Sequence, residues 1–247
     1  MTSETAFYLV LGAAAGGFVN GLSGTGTALF AMGFYLVVLA PETAVAIVAL
    51  MSVLVGLQGL WLVRKEIWAQ PRRLMRFLVP GLFGVPLGVL LLQVIEVSVL
   101  RITIALFLII YGCYFGFRSV LPAYQKRTPG VDAGVGLAGG VLGGAAGISG
   151  ALPVLWLSIR PWTKAETRAV LQPFNAAILS TTVALLALRG AYDSTAFSAL
   201  LVTIPCGMIA GQVGIMVFRR LSDIAFRRLL ILLSLAMGLG ILVSEIV

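Results

Sequence analysis

Two stretches decide the fold: Gly16-Gly-Phe-Val-Asn20-Gly-Leu-Ser23-Gly-Thr25-Gly-Thr27-Ala-Leu29 and Gly139-Gly-Val-Leu-Gly-Gly-Ala-Ala-Gly147-Ile-Ser149-Gly-Ala-Leu-Pro153. They lie in apolar runs at 5–40 and 133–158. Each run is too short for two straight membrane crossings of about 20 residues and long for one. Irregular backbone is tolerated in a bilayer only where protein or a water-filled cavity satisfies its polar groups. Each run is therefore read as a broken-helix hairpin that returns to the side it left.

Six further apolar segments, at 43–63, 77–94, 100–117, 168–188, 196–218 and 226–246, approach the length of a membrane helix. The composition agrees, with 60% hydrophobic and 11% charged residues against about 25% charged in an ordinary soluble domain. A soluble enzyme would expose too much of this surface. A disulfide scaffold would need more than Cys113 and Cys206. The fold class is all-α, a polytopic integral membrane protein.

The chain repeats itself. Gly16, Gly17, Gly21 and Gly24 fall in register with Gly139, Gly140, Gly144 and Gly147, and the register continues through Ala28/Ala151 and Leu29/Leu152. After a short insertion, Gly81/Gly207, Gly88/Gly214, Arg101/Arg227 and Gly112/Gly238 match in turn. The organisation is a first membrane repeat at 1–118, a cytoplasmic linker at 119–131 and a second repeat at 132–247. Each repeat holds one hairpin and three spanning helices.

The formal charge of +8 reflects basic loops gathered on one side. With both glycine-rich runs as hairpins, every Lys and Arg except Arg101 and Arg189 falls on the side of the loop 64–76, which the positive-inside rule makes cytoplasmic. A single crossing at 133–158 would abolish that bias. The repeats are then inverted, with both termini outside. No basic residue precedes Arg64, so the first segment lacks the start of a cleavable signal peptide.

Broken helices in matching positions of inverted halves point to a transporter's binding site. A helix that begins inside the membrane offers unpaired N–H groups and a partial positive end to an anion. The candidate substrate-binding residues are Asn20, Ser23, Gly24, Thr25, Gly26 and Thr27 in the first half. Gly147, Ile148, Ser149 and Gly150, with the amides of Gln172 and Asn175, complete them in the second. No buried arginine is expected among them, and Arg168 is placed in a cytoplasmic loop. The outer glycines, in Gly12-x-x-x-Gly16, Gly17-x-x-x-Gly21 and Gly143-x-x-x-Gly147, read as close-packing patterns. Gln58, Gln93 and Gln212 either line a pathway or bond across helices. Glu42 and Glu166 suit helix starts, and Pro86, Pro153, Pro173 and Pro205 suit kinks or breaks.

Enzyme chemistry finds little support. Gly147-Ile-Ser149-Gly150 resembles the nucleophile motif of rhomboid intramembrane proteases, but the chain contains no histidine to act as base. No phosphate-loop, dinucleotide or metal-ligand spacing is present, so neither cofactor nor metal is expected, and no nucleic-acid partner.

Around the hairpins the sequence resembles the TauE/SafE family of sulfite exporters, whose glycine-rich motif followed by proline occurs in two halves. Gly21, Gly24 and Gly26 carry the match in the first half, and Gly144, Gly147, Gly150 and Pro153 in the second. Thr27 and Ala28 replace two of the motif's glycines, and Ser149 and Ala151 flank the one retained. The resemblance implies a bacterial inner-membrane transporter of sulfite, organosulfonates or a similar small anion, working by alternating access. A non-transporting membrane subunit or a passive anion channel are the alternatives. The implied partners are a small anion and the lipid bilayer, with a homo-oligomer possible.

Overall fold

The structure, a computed structural model, describes residues 3–91, 97–116 and 124–246. Among these, all regular elements are helices. Gln93, Arg118 and part of the 119–131 linker lie outside the described residues.

The first glycine-rich run forms α1 (Ser3–Ser23) and α2 (Thr27–Tyr35), and the second forms α7 (Pro129–Ala146) and α8 (Ala151–Ser158). At about 1.5 Å per residue, the 9 residues of α2 and the 8 of α8 reach less than half of a hydrocarbon core of about 30 Å. Both fold back along their partners. A side chain on Gly12 would meet Tyr35 and one on Gly16 would meet Thr27 and Ala31, while Trp156 of α8 donates to Asp132 at the start of α7 (2.8 Å). These short elements are half-helices of hairpins.

The six other apolar segments form α3 (Pro41–Leu62), α5 (Pro71–Leu91), α6 (Val97–Gly116), α9 (Lys164–Leu188), α10 (Ser194–Arg220) and α11 (Asp223–Ile246). A short α4 (Arg64–Ala69) occupies much of the loop read at 64–76. The helices begin earlier than the apolar runs because polar residues start them. Thr163 and Glu166 form a reciprocal capping box at α9, and Asp193 accepts from the Ala196 amide at α10 (2.8 Å). Pro86, Pro173 and Pro205 sit inside continuous helices and do not break them. Pro153 stands in the first turn of α8, where its missing N–H goes unneeded.

The two hairpins enter from opposite ends of the bundle. At one end the Tyr192 hydroxyl bonds the Ala46 carbonyl, joining the α9–α10 turn to the start of α3, where α2 delivers the chain. At the other, Arg160 after α8 bonds the Lys126 carbonyl, and the Lys164 amide bonds Asp223. This second end also carries Arg64, Lys65, Arg72, Arg73, Arg127, Arg219 and Arg220, whereas Arg189 lies at the first.

Packing crosses between the halves. A side chain on Gly17 would strike the Gly207 backbone, and one on Gly140 would strike Gly81. Gly21 and Gly211 meet as Gly144 and Val85 do, and Gly112 faces Leu235 as Gly238 faces Ile109. These are the same contacts with the two sequence registers exchanged, so α1 lies on α10 as α7 lies on α5. Close backbone approach through small residues is how helices associate in lipid, where no hydrophobic force drives them together.

The outer surface is apolar. Phe83, Leu201 and Ile209 are each more than two-thirds exposed, a surface for which a bilayer is the fitting solvent. Among the described residues six helices are long and apolar enough to cross a membrane, α1 among them, and the protein is a multi-pass membrane protein. At the basic end Trp61 and Trp68 project outward, with the Arg64 guanidinium stacked 4.1 Å from the Trp61 ring, as in an interfacial aromatic belt.

Candidate functional site

The site begins with the two breaks. Gly24 and Gly26 adopt φ of 88° and 90°, and Gly147 adopts 69°, the left-handed region that side chains disfavour. These turns stop α1 and α7 and allow α2 and α8 to restart in the reverse direction. Ser23 secures the first break, its hydroxyl within donating reach of the carbonyls of Val19 (2.9 Å) and Thr25 (2.8 Å), which share its one proton.

The broken ends lie side by side against the middle of α9. Asn175 Oδ1 accepts from the Ser149 hydroxyl at 2.6 Å and from the Thr25 hydroxyl at 3.2 Å, so one amide oxygen ties both hairpins together. A Cβ at Gly150 would overlap Thr25, which sets how closely the tips approach.

Between the tips is a buried cavity of about 10 Å³, large enough for a single water. Thr25, Gly26, Thr27, Gly147, Ile148, Ser149, Gly150 and Asn175 line it, together with Ser52 of α3. The starts of α2 and α8 both border it. Neither half-helix has a side-chain cap or an acidic residue in its first turn. Two partial positive ends therefore converge where no protein group neutralises them.

Asn20 and Gln172 form an adjoining layer. Asn20 donates to Thr27 Oγ1 (2.7 Å) and to the Ser52 carbonyl (3.1 Å). Gln172 donates to Asn20 Oδ1 (3.3 Å) and to the Gly56 carbonyl (3.0 Å). Gly24 faces Gln172 and Arg168 rather than the cavity. All twelve sequence-read residues thus belong to one cluster: eight line the cavity, two support it, and Ser23 and Gly24 shape the break.

Two residues were not anticipated. The Ser52 hydroxyl is buried, lacks a hydrogen-bond partner and lines the cavity. Nothing in the apolar run of α3 distinguishes it. Arg168 corrects the expectation of a loop residue and of a site without buried arginine. It lies inside α9, fully buried, and its Nε donates to Gln172 Oε1 at 3.1 Å. The spacing Arg168-x-x-x-Gln172-x-x-Asn175 was the available signal, since it puts all three on one face of a helix.

The remaining polar candidates divide. Glu166 caps α9 and pairs with Arg73 at 2.6 Å. Gln212 is exposed, and the Gln58 carbonyl oxygen is buried without a partner. Among the described residues no cluster of metal-ligating side chains occurs.

Comparison with known proteins gives one match. The family model described as Sulfite exporter TauE/SafE covers residues 8–241. No curated protein and no solved structure matches the chain.

Proposed function

The chain belongs to the sulfite exporter TauE/SafE family and is a membrane transporter, and from that premise we propose that it is a secondary carrier of a small oxyanion, sulfite or an organosulfur anion. The observation that carries this reading is the meeting of two uncapped half-helix starts at one buried cavity. Backbone N–H groups in the first turns of α2 and α8, which have no partner within their own helix, would hold the anion. The hydroxyls of Thr25, Ser149 and Ser52 would complete its hydrogen bonds. Charge provided by backbone dipoles binds more weakly than a fixed cation, which suits a ligand that must also leave.

The packing supports alternating access as the mechanism of this carrier. The cavity is smaller than a four-atom oxyanion, so loading requires the tips to part. Because the hairpins enter from opposite ends, movement of one opens the site toward one end, and movement of the other opens it toward the opposite end. We read the two halves, 1–118 and 132–247, as an inverted repeat joined by a linker at 119–131. The basic end faces the cytoplasm and the termini face outward across a bacterial inner membrane. No enzymatic role is assigned: Ser149 donates its proton to an amide oxygen, and the chain has no histidine to activate it.

Uptake by proteoliposomes tests this. Saturable sulfite uptake, competed by taurine or sulfoacetate, is expected. Flux that follows voltage without saturation would mean a channel, and no flux from folded protein under any ion gradient would mean a subunit.

A further inference from the structure

The carrier reading accounts for the tip cavity but not for Arg168. This side chain has no exposed surface, and both terminal nitrogens, Nη1 and Nη2, lack a hydrogen-bond partner. Among the described residues no carboxylate forms an ion pair with it. The ion pairs of the neighbouring region join Arg73 to Glu166 and Arg160 to Asp132. One face of the guanidinium is covered by the Phe218 ring, 4.5 Å from its centroid. A ring face does not replace the hydrogen bonds a buried guanidinium requires, and an unpaired buried charge is strongly unfavourable.

The surroundings are built to keep it there. A Cβ at Gly59 would lie 2.6 Å from Nη2, so this helical glycine makes the space the guanidinium occupies. Gln172 fixes the plane of the group through Nε. The two free nitrogens then form a fork, the geometry that matches two oxygens of one oxyanion. The Gln58 carbonyl oxygen and the Thr167 hydroxyl, also buried and unpartnered, lie on the residues flanking Gly59 and Arg168.

Arg168 is connected to the cavity. From its Nε the hydrogen bonds run through Gln172 and Asn20 to Thr27 Oγ1 at the cavity wall. Along α9, Lys164, Arg168, Gln172 and Asn175 succeed one another on one face from the basic end inward. At about 1.5 Å per residue, Arg168 stands roughly 10 Å from Asn175 toward that end.

We propose that Arg168 is a second oxyanion subsite, a waypoint on the basic side through which the anion passes between the cytoplasmic end and the tip cavity. The inference rests on the carrier reading and adds a charged, bidentate station to it. An anion here would satisfy both free nitrogens, and its transfer to the uncharged tip site would discharge the strong interaction before release.

The test is sulfite binding by the full-length protein in lipid nanodiscs, measured by calorimetry. In the T25A/S149A variant, which weakens the tip site, sulfite binding is expected to persist. Adding R168Q is expected to lower that affinity tenfold or more, and R168K, which keeps the charge but loses the fork, is expected to lower it severalfold. Ligand-free R168Q is expected to melt no lower than the wild type, because it removes an uncompensated charge. Unchanged affinity on adding R168Q or R168K would overturn the subsite and leave the tip cavity standing. Loss of all binding in T25A/S149A, with wild type binding intact, would do the same. If the wild type binds no sulfite, the carrier reading itself fails, and the subsite with it.

Discussion

Asn175 is the residue on which the tip site turns. Its carbonyl oxygen receives a hydroxyl from each hairpin, and leaving a buried donor unsatisfied costs about 1–3 kcal/mol. N175A is therefore expected to lower both the melting temperature and sulfite flux. N175D retains the acceptor and adds a negative charge beside the cavity. It is expected to keep more of the stability while losing flux at least tenfold, a split that flux and thermal denaturation measured on the same preparation would reveal. Equal loss of both in N175D would mean that the residue only holds the tips together. At Gly150 the constraint is steric, since a methyl group would overlap Thr25. G150A is expected to destabilise by about 1–3 kcal/mol, as overpacking does, and T25G to relieve it in the double variant. This residue-scale chemistry was largely legible in the sequence, because hydroxyls and amides crowded among glycines are rare in an apolar chain. Ser52 was not, since a lone serine in a spanning helix looks the same whether it faces lipid, a helix or a cavity. Arg168 was misplaced because basic residues near the end of an apolar run ordinarily mark a loop, and only the tertiary structure buries this one.

Among the elements, the hairpins and the helices that clamp them carry the account. The base of the second hairpin is fastened by Asp132, which accepts from Arg160 at 3.0 Å and from Trp156 at 2.8 Å, both partners being largely shielded. The Arg160 guanidinium packs against the neighbouring Trp156 and Tyr124 rings, 4.5 Å and 5.2 Å from their centroids. Breaking such a buried pair costs about 3–5 kcal/mol. D132A is expected to lose stability on that scale and to expose the base of the hairpin to labelling, while R73A, which breaks a partly exposed pair with Glu166, should cost about 1 kcal/mol or less. Comparable losses in the two variants, measured by denaturation in mixed micelles, would contradict the assignment of Asp132–Arg160 as the clamp. The sequence showed that the glycine-rich runs had to be unusual, because their lengths fit neither one crossing nor two. The shortness of α2 and α8 beside the nearly full-length α1 and α7 was not legible, since the apolar character runs unbroken through each bend. Helix starts were also missed by several residues at α5 and α9. Their first turns are basic or capped, and polarity there reads as loop.

For the whole molecule the notable feature is crossed pairing, with α1 on α10 and α7 on α5 through equivalent small residues. Equivalent substitutions should have equivalent effects. G17V and G140V are expected to impair folding and membrane insertion to a similar extent, and a large difference between them would argue that the two contacts are not counterparts. Sidedness has a separate check. Cysteines replacing Lys126 and Arg189, both exposed at opposite ends, are expected to react with an impermeant reagent from the cytoplasm and from the outside respectively. Labelling of both from one side would sink the hairpin topology. The positions of the basic residues along the chain carry that sidedness as an expectation, whereas the partner of each helix became visible only once the two registers of the glycine repeat were laid on the packed structure.

The central claim is that the two broken ends together hold an oxyanion. Crystals of the full-length protein soaked in selenite, a heavier counterpart of sulfite, would test it through the anomalous signal of selenium. A peak is expected between Gly26–Thr27 and Ser149–Gly150, with the tips moved apart to admit it. Selenite bound only elsewhere, or none bound by protein that transports sulfite, would contradict it.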